Sequence, residues 1–314
     1  MIYTLTLNPA LDRELMVPAL LFDDVLRATA MRVDCGGKGF NVARMLAALG
    51  AESVALGFAG GYTGAMLRDG LAALGIATDF VWVAGETRTN ISIVTTCYDR
   101  HIKVNEPGPT ISASEQSALR AQVRERAHSG DWWVLAGSLP PGVAPSFYAE
   151  LIGDIQAAGA RVVLDTSGAA LRHGYAARPF LLKPNAAEAS ELTGLPIASA
   201  EQALAAAATM PGIAQIVISM GAAGALLVAS GRGWLATPPA IQQHNPIGAG
   251  DSLVAGLVWG LSKAFAPDAM LRWGVACGAA AASQAGTAFG SYDDVVRLAE
   301  QVGVREVFLE KRPR

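Results

Sequence analysis

From Ser112 to its end the chain alternates short apolar runs with helical segments, and few folds accommodate that order. Residues 132–136, 162–165, 180–182, 216–219 and 225–228 read as strands, apolar almost throughout. Residues 114–127, 145–157, 186–192 and 200–209 carry helical spacing between them, and helices over 251–263, 267–284 and 292–301 close the body. Strands apolar on both faces and joined by helices belong in a parallel sheet covered on both sides. The expected fold class is therefore α/β: a doubly wound, mostly parallel sheet with helices on both faces.

The first hundred residues begin the same way and then depart from it. Residues 2–7 form a buried strand closed by Asn8-Pro9, and a helix over 40–49 stops at Gly50. A strand over 54–58 and a helix over 63–74 follow. Residues 14–17 and 28–33 alternate loosely, residues 80–83 begin a second β-rich stretch, and 90–96 pairs with 101–104 as a hairpin. The two strand-rich insertions, about 10–35 and 87–107, are expected to pair as a small accessory sheet. Placed over the carboxyl ends of a doubly wound core, it would form a lid on the ligand crevice of a single domain spanning 1–314. The tail from Glu310 to Arg314 is expected to fray.

Composition removes several function classes. Apolar residues make up 52% and charged residues 16%, enough for a large core, and the formal net charge is −3 with pI near 5.8. No nucleic-acid or acidic-membrane partner is expected from that balance. The most apolar helical stretch, 253–265, is too short to span a bilayer, and Met1–Leu7 lacks a basic leader, so a cytoplasmic protein is expected. Cys35, Cys97 and Cys277 are odd in number and form no CxxC pair, which fits a reducing compartment. His101, His128, His173 and His244 match no metal-ligand spacing.

Chemistry concentrates in Asn245-Pro246-Ile247-Gly248-Ala249-Gly250-Asp251-Ser252, followed by Leu253, Val254, Leu257, Val258 and Leu261 at helical spacing. Two glycines let backbone N–H groups approach a ligand, and a helix N-terminus attracts an anion. Asp251 would then stand beside that anion as a general base for phosphoryl transfer. No GxxxxGK[ST], GxGxxG, HExxH or GxSxG run is present. Polar residues instead punctuate the strand ends, at Asn8/Asp12, Gly36–Asn41, Arg88/Asn90, Gly137-Ser138, Lys183–Glu188, Ser219–Gly221 and Gly248–Asp251. In a doubly wound sheet such positions converge on one crevice.

These blocks resemble the PfkB-type (ribokinase-like) sugar kinases along nearly the whole chain. Gly36-Gly37-Lys38-Gly39-Phe40-Asn41-Val42-Ala43 resembles the family's N-terminal signature, and Asn245–Ser252 its C-terminal one. Thr4–Asp12, Thr87-Arg88-Thr89-Asn90, Gly137–Gly142 and Lys183-Pro184-Asn185…Glu188 narrow the likeness to the phosphosugar branch: 1-phosphofructokinase, tagatose-6-phosphate kinase and minor 6-phosphofructokinase.

The resemblance implies ATP and Mg2+ as cofactors, with Asp251 as base and Gly248, Ala249 and Gly250 holding the transferring phosphoryl. It implies Asp12, Gly37 and Asn41 on the sugar hydroxyls, with Arg88, Lys38 and Arg27 on the substrate's own phosphate and Asn90 and Ser138 beside it. Lys183, Asn185, Ser219, Gly221 and Gly224 would border the nucleotide. Glu188, through water, and Asn185 would hold Mg2+. Ala276, Gly278 and Ala279 fit either an adenine contact or ordinary helix packing.

Lys38 and Asn105–Pro109 point to the fructose-1-phosphate and tagatose-6-phosphate enzymes, and Val25 stands where the minor 6-phosphofructokinase has lysine. Pro246 replaces the family's small hydroxyl residue, which bears on any monovalent-cation effect at that loop. The implied reaction is phosphorylation of D-fructose 1-phosphate to fructose 1,6-bisphosphate, with the other two ketose phosphates as rivals and a non-catalytic sugar-phosphate-binding regulator behind them. The uncovered sheet face is expected to pair two chains as a homodimer.

Overall fold

The computed structural model describes residues 1–95, 101–243, 247–284 and 288–308. Cys97, His244, Asn245, Pro246 and the 310–314 tail therefore lie outside the described residues.

The chain starts with β1 (Ile2–Thr6), β2 (Ala10–Val17), β3 (Ala30–Gly36), α1 (Lys38–Ala48), β4 (Val54–Ala59), α2 (Gly61–Ala73) and β5 (Ala77–Trp82). It continues through β6 (Arg88–Thr95), β7 (His101–Asn105), α3 (Ala113–Arg126), β8 (Trp132–Ala136), α4 (Phe147–Ala157), β9 (Arg161–Asp165), α5 (Gly168–Ala176), β10 (Leu181–Leu182), α6 (Ala186–Thr193) and α7 (Ala200–Ala208). The last part holds β11 (Gln215–Ser219), β12 (Ala225–Ala229), β13 (Arg232–Thr237), α8 (Ala249–Ser262), α9 (Pro267–Ala282), α10 (Tyr292–Ala299) and β14 (Gly303–Val307).

Ten strands form one sheet in the order β14-β13-β12-β11-β10-β9-β8-β1-β4-β5. The seven from β11 to β5 run parallel, and the three at the other edge are antiparallel. The chain builds outward from β1 toward β5, then restarts at β8 on β1's other side. The order thus reverses between β1 and β8, where an open α/β sheet places its ligand crevice.

Residue alternation assigns the two faces. Trp132, Val134 and Ala136 join the cluster under α1, α8, α9 and α10, while Trp133 and Leu135 join the one under α3, α4, α5 and α7. The second sheet, β3-β2-β6-β7, grows directly out of β1 through Asn8-Pro9 and returns through Gly36-Gly37 into α1. Its register sets Asp12 opposite Asp34 on one side and Asn90 on the other.

Three departures from expectation have physical causes. Residues 80–83 belong to β5 of the main sheet, paired with β4, instead of starting the accessory strands. Helix α5 went unread because Gly168 and Gly174 dilute its helical signal, yet Gly174 lets it crowd onto Leu164 of β9. Strands β13 and β14 were also missed. Ser230 and Gly231, both at positive φ, form the tight turn that folds β13 back on β12, and β14 then pairs with β13.

Helices α8 and α9 approach closely because glycines meet at their crossing. A Cβ on Gly256 would stand 2.7 Å from the Trp273 carbonyl oxygen and 2.8 Å from Gly274 Cα. Gly278 faces the Ala249 carbonyl, and Ala276 and Ala279 are buried in the same cluster, so this small-residue stretch serves helix packing. We expect Gly256→Ala to cost roughly 1–3 kcal/mol through overpacking. Gly153→Ala, where a Cβ meets nothing within 4 Å in mid-helix, should instead stabilise by about 0.5–1 kcal/mol. Urea midpoints at unchanged m-value test the pair, and equal effects would remove close approach as the reason for glycine at 256.

Candidate active site

The carboxyl ends of β1, β8, β9, β10 and β11 carry Asn8, Gly137, Asp165, Lys183 and Ser219 in or just beyond their last residues. Helix α1 enters this crevice at Gly37, whose φ of 133° and close approach to Thr6 Cγ2 exclude a side chain. Gly39 lies against Leu5 and Thr6 in the same way, so α1 packs hard on β1. Its first turns then point Lys38 and Asn41 at the crevice.

Lys38 Nζ donates to Asp165 Oδ1 at 3.1 Å, and Lys183 Nζ lies 3.3 Å from the same oxygen. Asn41 Nδ2 donates to Asp251 Oδ2 at 2.8 Å, across 210 residues of sequence. Two lysines and two aspartates thus meet in the crevice with their charges matched, Lys183, Asp165 and Asp251 buried and the Lys38 side chain 40% exposed. The Asp165 side chain is 1% exposed, and its Oδ2 has no hydrogen-bond partner among the described residues. Asp165 was not singled out from sequence, because it reads there as the last residue of a buried strand.

Asp251 occupies the first turn of α8, behind Gly248, which caps the helix at φ 81°. Burial first, and then the nearby Asp165 charge, push its pKa up to about 6, against the opposing pull of Lys38, Asn41 and Lys183. A carboxylate in that range is ionised at neutral pH and still basic enough to take a proton. A Cβ on Gly250 would meet nothing within 4 Å, so there is open space beside the first turn of α8. Burial also raises the Asp12 pKa, and Asn90 Nδ2 donates to its Oδ1 at 2.7 Å.

Other expected residues have different positions. Arg88 uses Nε and Nη2 on the Asn8 carbonyl and Nη1 on the Glu106 carbonyl, so it also staples the end of β1 to the 106–109 loop. Ser138 is exposed in a concavity with Pro107, Pro140, Thr166 and Ser167, next to Gly137 and Lys38. Arg27 stands exposed in the 18–29 connection and makes no hydrogen bond or ion pair to these residues among those described. Gly224 is buried against the Ala236 carbonyl, with no room for a side chain. Gly221 opens a short turn on the surface, and Ser219 bridges to Asn185.

Asn185 and Glu188 cap α6 reciprocally, each side chain accepting the other's backbone N–H, at 2.9 and 2.8 Å. Glu188 is close enough to act electrostatically on Lys38. Among the described residues no three His, Cys, Asp or Glu side chains form a metal cage. Mg2+ is ordinarily held by one or two carboxylates together with substrate phosphates. The free Oε1 of Glu188 and the unpartnered Oδ2 of Asp165 fit that mode.

Comparison with known proteins agrees with this fold. The family model described as pfkB family carbohydrate kinase matches residues 6–294. A 1-phosphofructokinase of Rhodobacter capsulatus is 40% identical over 82% of this chain and 82% of its own length. That of Vibrio cholerae is 34% identical over 98% and 97%. A solved structure of phosphofructokinase-2 from Escherichia coli in complex with potassium superposes at a TM-score of 0.91, with 34% identity over 96% of this chain and 98% of that one. The chain belongs to the pfkB family of carbohydrate kinases.

Proposed function

We propose that this kinase uses ATP to phosphorylate a ketohexose monophosphate, and that its substrate is D-fructose 1-phosphate, giving fructose 1,6-bisphosphate. The observation that carries the reading is Asp251: buried, held by Asn41, and set in the first turn of α8 behind its Gly248 cap. The curated 1-phosphofructokinases among its relatives support the choice of sugar. Tagatose 6-phosphate and fructose 6-phosphate are the competing acceptors, because one epimeric hydroxyl is decided by pocket shape.

In this reading the acceptor sugar lies between Asp12, Asn41 and the Ser138 loop, with Arg88 and Lys38 on its phosphate. Lys38 would exchange Asp165 for that phosphate, a stronger partner for a cation. Asp251 takes the hydroxyl proton as the oxygen attacks the terminal phosphoryl in line. The first turn of α8 stabilises the charge on the moving group. Mg2+, held through Glu188 and Asp165, would neutralise the phosphate oxygens of bound ATP. Lys183, Asn185, Ser219 and Gly221 border the nucleotide. The small sheet acts as a lid of the single domain and excludes water on closing.

Its outer face supports a homodimer. Met31, Leu15, Ile93 and Ile102 align across all four strands, and Met31 is 60% exposed. Among the described residues no helix is long and apolar enough to cross a membrane, and we read the enzyme as cytoplasmic.

A coupled ADP-release assay across the three sugar phosphates should give fructose 1-phosphate the highest kcat/KM, and no turnover of any would leave the regulator reading. Asp251→Asn should fold and bind ATP yet lose at least about a hundredfold in kcat, the low end for a positioned base. In the native enzyme kcat/KM should fall as pH drops through about 6, the pKa of Asp251. Because that pKa lies above the unfolded value, the native carboxylate binds its proton first, and its ionisation weakens the fold as pH rises through the same window. Asp251→Asn should therefore raise Tm at pH 8, and the gain should shrink toward pH 4. A lower Tm at pH 8 would mean that the charge is net stabilising. Arg88→Ala should raise the sugar-phosphate KM about tenfold more than the ATP KM, the pattern for lost uniform binding. Equal rises would displace Arg88 from the phosphate site.

A further inference from the structure

Helix α1 carries Lys38, Asn41 and Arg44 at three-residue intervals, so the three lie along one stripe. The reading above uses the first two and leaves Arg44 without a role. Its side chain is only 13% exposed. Burial lowers its pKa while Asp34 opposes the shift. A guanidinium so placed is costly unless its charge and its planar face are met.

Both are met, by two separate parts of the molecule. At the end of β3, Nη2 lies 3.7 Å from Asp34 Oδ1 and Nη1 donates to the Cys35 carbonyl at 3.5 Å. These residues immediately precede Gly36-Gly37, the link from the small sheet into α1. On the opposite side, Arg44 Cζ stands 4.5 Å from the centroid of the Phe289 ring, within cation–π range. The edge of that ring, Cε1, lies 3.3 Å from the position a Cβ would take on Gly248. Gly248 is the left-handed cap of α8, three residues before Asp251. A continuous set of contacts therefore runs from the base of the small sheet, through one guanidinium and one ring, to the mouth of α8.

We propose that Arg44 is a positioning residue that holds the mouth of α8, and with it the Asp251 carboxylate, in register with the base of the small sheet. The proposal rests on reading that mouth as the phosphoryl site. Seating of the small sheet at Asp34 and Cys35 fixes the guanidinium plane. The plane fixes the Phe289 ring, and the ring limits how far the Gly248 turn can open. Arg44 reaches no substrate directly, so its loss falls on the geometry of transfer and leaves ground-state binding intact.

The test uses Arg44→Met, Arg44→Lys, Phe289→Leu and the double variant Arg44→Met/Phe289→Leu. Each is followed by hydrogen exchange of the unliganded protein at amides 248–252, by kcat with both KM values, and by Tm. In Arg44→Met we expect faster exchange at 248–252 and a kcat lower by about tenfold or more, the scale of a small misplacement of reacting groups. Both KM values should stay within about twofold, since no substrate contact is removed. Phe289→Leu should reproduce the pattern, the double variant should be no worse than the worse single, and Arg44→Lys, which keeps the charge but loses the plane, should recover little of it. Unchanged exchange at 248–252 in Arg44→Met, or additive losses in the double variant, would overturn the coupling. If Arg44→Met does not fold, Phe289→Leu applies the same criterion at 248–252. Should exchange respond as expected while the native protein turns over no sugar phosphate, the coupling stands and the kinase reading falls.

Discussion

The crevice depends on keeping a carboxylate charged where water scarcely reaches it. Asp251 is 7% exposed, and an isolated ion there would protonate before it could serve as a base at neutral pH. Asn41 meets one of its oxygens, and Lys38 and Lys183 supply opposing charge nearby. Those lysines would in turn be unmatched without Asp165, which receives both on a single oxygen. Asp165 also raises the basicity of Asp251 through its own charge. The same four groups therefore balance one another's charge and set the proton affinity of Asp251.

Such a cluster can form only if distant segments converge. The reversal of strand order between β1 and β8 brings the ends of β8, β9 and β10 to the place where α1 begins, and α8 supplies its N-terminus from the same face. Glycine permits each approach. Gly37 and Gly39 let α1 lie on β1, and Gly256, Gly274 and Gly278 let α9 press on α8 from behind. A helix braced on both sides cannot easily rotate its first turn, where Asp251 sits.

Much of this was legible in the sequence, but in pieces. The alternation after Ser112 predicted the parallel sheet, and the loose alternation near 14 and 30 predicted the small one, because residue periodicity is a local property. The residue types at 38, 41, 183 and 251 suggested a crevice that binds phosphate. What could not be read was which of them touch. The Asn41–Asp251 bond spans 210 residues, and nothing local to either marks the other. Asp165 escaped notice because a strand-final aspartate is ordinary until two lysines arrive from elsewhere. Strand β13 was missed although Ser230-Gly231 was a usable hairpin signal.

Helix α1 explains why the small sheet and the crevice act as one device. Positions i, i+3 and i+6 fan over about 120° of one side of a helix, so Lys38, Asn41 and Arg44 reach different neighbours yet move together when α1 moves. Lys38 reaches β9, Asn41 reaches α8, and Arg44 reaches both β3 and the ring beside Gly248. The small sheet joins this helix with no linker beyond Gly37, and Asp12 crowds Gly36 from the neighbouring strand. A displacement of the small sheet would therefore pull on the helix whose Asn41 holds Asp251. In the proposed function, a ligand seated at Asp12 would then bias the geometry at Asp251 through α1, without any contact between the two carboxylates.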